Sequence, residues 1–336
     1  MEEPKMAEVV LSGLSKSFGN KIAVADIDMR IDDGSFVVLL GPTGAGKTTT
    51  LRLISGLEKA DAGTVSIKGR IVDHDTPAMR DVAMVFQQYS LYPHLTVRDN
   101  LAFPLRSPIL KTPKKEIEEK IAQVAEVLRI KDKLDNRATE LSGGEMQRVS
   151  IGRALVRDPT IYLMDEPLSS LDARLRADLR IELKRIQADL GATLLYVTHD
   201  QIEAMTMATH VGVLQDGRLV QFGSPRDVYE RPNSIDVAGR LGLPRINILP
   251  ADLFPATRGK GHRIGLRPEH IRFGDGQPAL VKRIEHLGDQ IRVHLEIEGH
   301  ALVCLQPRLR SLSVGERIGV QPIDPLFFDE NGNRRA

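Results

Sequence analysis

The chain has 336 residues, 41% of them apolar and 27% charged, and a formal net charge of +1. The length predicts two domains and the composition a globular protein with a sizeable core. The near-zero charge speaks against a dedicated nucleic-acid binder or a polybasic membrane anchor.

The opening MEEPKMAEVV carries no apolar h-region and predicts no secretory leader. An uninterrupted apolar run of about 18 residues is missing, so no spanning helix is expected. The single cysteine, Cys304, precludes an intramolecular disulfide and suggests a reducing compartment; in ALVCLQ it suits a buried core thiol. Charge is divided mildly: from residue 240 onward 15 Lys/Arg face 11 Asp/Glu, or +4, leaving 31 against 34, or −3, before it.

In chain order, EVVLS, IDMRI and SFVVLL are β-branched runs that predict strands, the last two separated by the turn DDG. TTTLRLISGL has helical apolar spacing, and DAG turns the chain into the strand-like TVSIKG. Ile117, Ile121, Val124 and Leu128 fall on one face of a helix over 114–129. Leu175, Leu179, Leu183, Ile186 and Leu190 do the same over 174–190. IYLM and TLLYV are continuous and apolar, as buried parallel strands are. VGVLQDGRLVQFG predicts a hairpin turning at Asp216-Gly217. Strands alternating with helices predict an α/β fold with a mostly parallel sheet. From about residue 240 the texture changes: LGLPRINILP is loop-like, IRVHLEIEG alternates with period two, and a separate small β domain is expected, its boundary within 232–245.

GPTGAGKT, residues 41–48, fits the phosphate-loop pattern, with a strand before it and a helix after. Glycines let the backbone N–H groups surround phosphate oxygens. Lys47 would reach the β- and γ-phosphates, and the Thr48 hydroxyl would ligate Mg²⁺. IYLMDE, residues 161–166, ends a buried strand in two carboxylates. Asp165 at the strand edge would hold the metal, while Glu166, on the other side, would orient or deprotonate a water. TLLYVTHD ends at His199, placed for the γ-phosphate or the water, and MVFQQ places Gln87 at a strand end within reach of metal or water. A surface lysine in a glycine turn does not account for a phosphate loop with these flanks, and an apolar strand ending in an acidic loop explains IYLMDE alone but not beside that loop.

These motifs in this order resemble the nucleotide-binding subunit of an ATP-binding cassette (ABC) transporter: the phosphate loop, Gln87, LSGGE at 141–145, IYLMDE, SSLD at 169–172 and His199. The likeness covers about residues 8–230. GLRPEHI at 265–271 and the β texture beyond resemble the oligonucleotide/oligosaccharide-binding-like regulatory domain of importer ATPases, and FQQYSLYPHLTVRDNLAFPL is similar to the carbohydrate-importer group of the maltose and glycerol-phosphate type. The resemblance implies a nucleotide-binding domain over 1–237, built of a RecA-like core, an antiparallel β subdomain and a helical subdomain at about 89–158. A small all-β, OB-like (TOBE-type) domain over 238–336 would follow.

By position the resemblance also implies roles. Phe18 would stack on adenine, where an aromatic residue is usual. Gly41, Pro42, Thr43, Gly44, Ala45, Gly46, Lys47, Thr48 and Thr49 would hold the ATP phosphates. Thr48, Gln87 and Asp165 would hold Mg²⁺, Glu166 would be the general base, and His199 its partner. Asp172 would link the two sites of a homodimer. The helical segment around 89–105 would form the groove that receives a cytoplasmic helix of one of two transmembrane permease subunits, which a separate extracytoplasmic protein supplies with solute. The chain would then sit peripherally on the cytoplasmic face of a bacterial inner membrane, without nucleic acid.

LSGGE lacks a lysine and a preceding strand, so it makes a poor phosphate site alone. In the resembling family it closes over the γ-phosphate of the other chain, so Ser142, Gly143, Gly144 and Glu145 would act in trans, with a helix dipole behind them. Glutamine is commonest where Glu145 stands. Ser142-x-x-Glu145 is also a capping box, and the expectation is that Glu145 caps its helix and points away from nucleotide. Two other readings stand beside the importer. A soluble cassette of DNA repair or translation would need tandem cassettes or a long coiled coil, whereas residues 88–141 number only 54 and hold no sustained heptads. A ligand-sensing C-terminal domain remains open, though no aromatic platform for single strands is evident.

Overall fold

The computed structural model describes residues 9–108, 110–257, 260–307 and 312–335. The chain divides into two compact units, the first ending at Pro225 and the second starting at Arg226.

The first unit begins with β1 (Val9–Phe18) and β2 (Lys21–Ile31), a hairpin whose tight turn is made at Gly19 with φ 58°. Then follow β3 (Phe36–Leu40), α1 (Lys47–Ser55), β4 (Ala62–Ile67), β5 (Arg70–Ile71) and β6 (Val82–Val85). Next come α2 (Val97–Ala102), α3 (Lys114–Val127), α4 (Gly143–Leu155), β7 (Ile161–Asp165), α5 (Ala173–Leu190), β8 (Leu194–Thr198), α6 (Gln201–Met207), β9 (His210–Gln215) and β10 (Arg218–Gly223). One four-stranded antiparallel sheet has the order β2-β1-β4-β5; a six-stranded sheet has the order β10-β9-β3-β8-β7-β6, parallel except for β10. Every residue of β3, β7 and β8 is buried, because these central strands are covered on both faces. Leu11, Val65, Leu39, Leu53, Leu163 and Val197 belong to one apolar cluster, so the two sheets and α1 share a core.

That order decides function. β8 lies between β3 and β7, so the loops at their C-terminal ends are brought side by side from positions over a hundred residues apart in sequence. Ligands of parallel sheets bind at those ends.

Two local expectations change in the structure. Within 89–105 only Val97–Ala102 is α-helical. Thr96 caps that helix by accepting from the Asp99 N–H, and Pro93 and Pro104 bracket it. LGLPRINILP is not all loop, since Asn247–Pro250 forms a strand; the Asn247 side chain bonds the carbonyls of Leu266 and Val303 and the N–H of Val303. The division at Pro225 lies ahead of the 232–245 window. Within the second unit the Arg267 guanidinium donates to the carbonyls of Tyr229, Ala238 and Leu241 and stacks 3.8 Å from the Tyr229 ring. These bonds bind α7 (Pro225–Glu230) and α8 (Ile235–Arg240) to the second unit.

The second unit otherwise consists of β11 (Asn247–Pro250), β12 (Arg263–Leu266), β13 (Ile271–His286), β14 (Gln290–Ile297), β15 (His300–Pro307), β16 (Arg317–Pro322) and β17 (Leu326–Phe328). They form two antiparallel sheets, β11-β12-β17 and β15-β14-β13-β16. β14 buries alternate residues along its whole length, as its period-two pattern requires. Cys304 is fully buried, and burial pushes its thiol up to about 12.

Candidate active site

Residues 41–46 leave β3 and enter α1 through Gly46 at φ 99°, a left-handed conformation that L side chains rarely adopt. A Cβ there would stand 2.3 Å from the Ala23 carbonyl oxygen, so glycine is required twice over. The loop wraps the buried Lys47, whose ammonium donates to the carbonyls of Gly41 (2.9 Å) and Pro42 (3.1 Å) and lies 3.6 Å from Glu166. Burial pushes the Lys47 ammonium below its ordinary pKa, and Glu166 pulls it back up.

A cleft of about 350 Å³ opens over this loop, lined by Phe18, Lys21, Ala23, Thr43, Gly44, Gly46–Thr49, Gln87 and Glu166. Phe18 is 49% exposed at its rim, with the Lys16 ammonium 5.3 Å from the ring centroid. Sequence reasoning missed Lys21. Its one available signal was the Gly19-Asn20 turn, which sets Lys21 opposite Phe18 in the β1–β2 register.

The two carboxylates behave differently from simple strand alternation. Asp165, at the end of β7, accepts from the Thr48 hydroxyl at 2.9 Å. Glu166 was expected on the other side. It instead has φ 44°, which breaks the alternation and turns its carboxylate toward Lys47 and His199, so both acids face the phosphate loop. The Nδ1 of His199 is 3.0 Å from the second Glu166 oxygen. Burial holds the Asp165 carboxyl above the usual carboxylate range, with the Thr48 hydrogen bond opposing it. A dehydrated carboxylate beside a hydroxyl is a hard-oxygen donor pair suited to a Mg²⁺ ion that also takes phosphate oxygens and water.

Two family models match this chain, the ABC transporter model over residues 24–169 and the TOBE domain model over 264–324. The chain is 43% identical to the sn-glycerol-3-phosphate import ATP-binding protein UgpC of Paracoccus denitrificans, over 98% of this chain and 99% of that protein. The UgpC of Ruegeria pomeroyi is likewise 43% identical, over 98% and 100%. This chain is an ABC transporter ATPase. Among solved structures it is similar to a dimeric bacterial ABC transporter cassette, MJ0796 (TM-score 0.58, 28% identity, 65% of this chain and 99% of that one). It is also similar to cbiO1 from Clostridium perfringens (TM-score 0.61, 25% identity, 67% and 91%). The ABC ATPase fold and the C-terminal TOBE domain expected from the motifs are thereby established. The alternative of a soluble cassette for DNA repair or translation finds no support among full-length relatives named for import. Among the described residues no helix is long and apolar enough to cross a membrane.

The LSGGE stretch, the signature of the resembling cassettes, stands apart from this cleft: among the described residues lining it, none comes from 142–145. Ser142 caps α4, and the box is reciprocal. The Ser142 hydroxyl accepts from the Glu145 N–H, and a Glu145 oxygen takes the Ser142 N–H at 2.8 Å. The Ser142 hydroxyl also lies 2.8 Å from that oxygen, and the Lys133 ammonium is 3.2 Å from the other. The backbone bond from Ser142, then its hydroxyl, then Lys133 hold the Glu145 carboxyl below its ordinary range. Asp172 caps α5 through the N–H groups of Arg174 and Leu175. Gly144 faces Leu175, and the Tyr89 hydroxyl meets Ser170 at 3.2 Å, so the signature helix, the loop before α5 and the segment after Gln87 adjoin within one chain.

Proposed function

We propose that two copies of this chain bind two ATP molecules between them and power an importer for a phosphorylated or hydroxyl-rich solute, sn-glycerol-3-phosphate or a related sugar, polyol or sugar acid. The observation that carries the dimer reading is the separation just described. One cleft holds Lys47, Thr48 and Glu166, while the capped N-terminus of α4, with Ser142, Gly143 and Gly144, lies outside it. A helix N-terminus is suited to closing over a γ-phosphate held by another copy. Glu145 is engaged in the cap: Ser142 donates hydrogen bonds to its carboxylate and Lys133 balances its charge, so it is not opposed to nucleotide.

In this reading Phe18 packs on adenine, and the loop from Gly41, Pro42, Thr43 and Gly44 through Ala45 and Gly46 to Thr49 cradles the phosphates. Lys47 releases the Gly41 and Pro42 carbonyls to take phosphate oxygens. Thr48, Gln87 and Asp165 would hold Mg²⁺, which when bound would offset phosphate charge. Glu166 orients a water in line with the γ-phosphate and takes its proton as the oxygen–phosphorus bond forms and ADP departs. His199 holds Glu166 in place, and Asp172 faces the other copy.

The remaining partners follow from the importer reading: two transmembrane permease subunits, contacted through the 89–105 segment, and an extracytoplasmic solute-binding protein. The chain works peripherally on the cytoplasmic face of the inner membrane. The units on either side of Pro225 correspond to cassette and TOBE domain, with α7 and α8 joining the latter.

Co-purification from membranes tests the reading. Two permeases and a binding protein are expected, and calorimetry on that binding protein should show affinity for sn-glycerol-3-phosphate. A binding protein indifferent to phosphate esters would remove the phosphorylated solute; a chain recovered with ribosomes or DNA would remove the importer.

A further inference from the structure

Arg176, in the first turns of α5, belongs to none of the ATP-binding motifs, yet its guanidinium meets four acceptors. Its Nε donates to the Leu168 carbonyl at 3.2 Å, and one terminal nitrogen donates to the carbonyls of Ser169 (3.2 Å) and Leu171 (2.8 Å). The other terminal nitrogen lies 3.8 Å from an Asp200 oxygen. Three of these partners are carbonyls of the loop that leads from Glu166 to Asp172. The fourth is the residue after His199.

Each end of this bridge is fixed to the hydrolytic pair. Ser169 donates through both its N–H (3.2 Å) and its hydroxyl (2.9 Å) to the carbonyl of Glu166. Asp200 uses its first oxygen to cap α6, through Ile202 and Glu203, which leaves the second for Arg176. The Asp200 N–H donates to the Thr198 hydroxyl at 3.0 Å, and that hydroxyl donates to the buried Glu203 at 2.6 Å. The turn carrying His199 is thus held from both sides, and Arg176 reaches across from it to the 168–171 loop.

We propose that Arg176 is a positioning residue, joining the 168–172 loop and the His199 turn into one piece, so that Asp172 and the His199–Glu166 contact are set together. This rests on the reading of Glu166 and His199 as the hydrolytic pair. Closure of a second copy onto Asp172 then passes through Arg176 to the geometry of Glu166. A guanidinium suits the task because its planar fork serves several acceptors in fixed directions; an ammonium of the same charge does not.

The test is ATP turnover and ATP binding by the purified full chain carrying Arg176→Lys, Asp200→Asn, or both, beside wild type and Glu166→Gln. Arg176→Lys is expected to lower kcat about 10- to 100-fold, as small misplacements do. Its ATP affinity should stay within about threefold and its thermal midpoint near wild type. Asp200→Asn should lower kcat in the same manner, and the double variant should lose little more than the worse single one. An unchanged kcat, losses that multiply in the double variant, or a fall in kcat matched by lost ATP affinity or unfolding all overturn the role of Arg176. Should Arg176→Lys fail to fold, Asp200→Asn decides by the same split. These outcomes leave the proposed function standing; a Glu166→Gln chain that still turns over ATP would instead remove the hydrolytic reading, and this role with it.

Discussion

The Nδ1 of His199 stands 3.0 Å from an oxygen of Glu166, although 32 residues, 167–198, separate them in the chain. The contact exists because β7 and β8 are neighbours in the parallel sheet and each residue follows the end of its own strand. Glu166 shares its other oxygen with Lys47 at 3.6 Å, so one carboxylate touches both the imidazole and the phosphate loop.

Under the proposed general-base role, Glu166→Gln keeps the shape of the side chain but removes the proton acceptor. Turnover should fall about 100-fold or more, the range of a lost general base, while ATP affinity holds or improves. Single-turnover hydrolysis with radiolabelled ATP, alongside equilibrium binding, checks both halves. Substantial residual hydrolysis would take Glu166 out of the base role.

Lys47→Ala removes the cation around which residues 41–46 are wrapped. Charge-assisted bonds of this kind contribute about 1.5–3 kcal/mol each, so ATP affinity should weaken about 10- to 100-fold or more, with turnover lost in parallel. Binding of a fluorescent ATP analogue measures it. Retained affinity would show that the backbone cradle suffices.

Gly46→Ala places a Cβ against the Ala23 carbonyl at a φ of 99°. Strain and overlap together should cost about 2 kcal/mol or more. Denaturant unfolding of the first unit reads the loss directly. A neutral result would mean that the β1–β2 hairpin yields at no cost.

Glu145 offers a pH test. Its carboxyl is held below its unfolded value, so its contribution to stability is present above that unfolded value and is lost as pH falls through the folded one. Glu145→Ala should therefore cost about 1 kcal/mol at neutral pH, and the gap to wild type should close as the solution is acidified. Glu145→Gln retains a capping oxygen and should cost only a few tenths. Its ATP affinity should stay within about threefold; a sharp gain in affinity or in ATP-driven dimerisation would mean that the carboxylate faces nucleotide after all.

Much of this architecture is legible in residue order alone. The runs FVVLL, IYLMD and LLYVT are buried strands because nearly every residue in them is apolar, which suits strands covered on both faces. The helix spacing over 114–129 and 174–190 reappears as α3 and α5 within two residues at each end. Ser142 and Glu145 form their box because capping is a contact between residues three apart, fixed by helix geometry. The strand at Asn247–Pro250 was hidden because its support comes from Leu266 and Val303, far along the chain.

By itself, the sequence determined the phosphate loop, the acidic strand end, the capped signature helix and the family they mark, since each is a local pattern. Only the tertiary structure decided that β8 sits between β3 and β7, that Glu166 turns back to join Asp165 at the phosphate loop, and that Arg176 spans two loops. The order of strands in a parallel sheet is set by packing between distant segments. Positive φ at a glutamate is set by the contacts that hold it there, and no window of neighbouring residues records either.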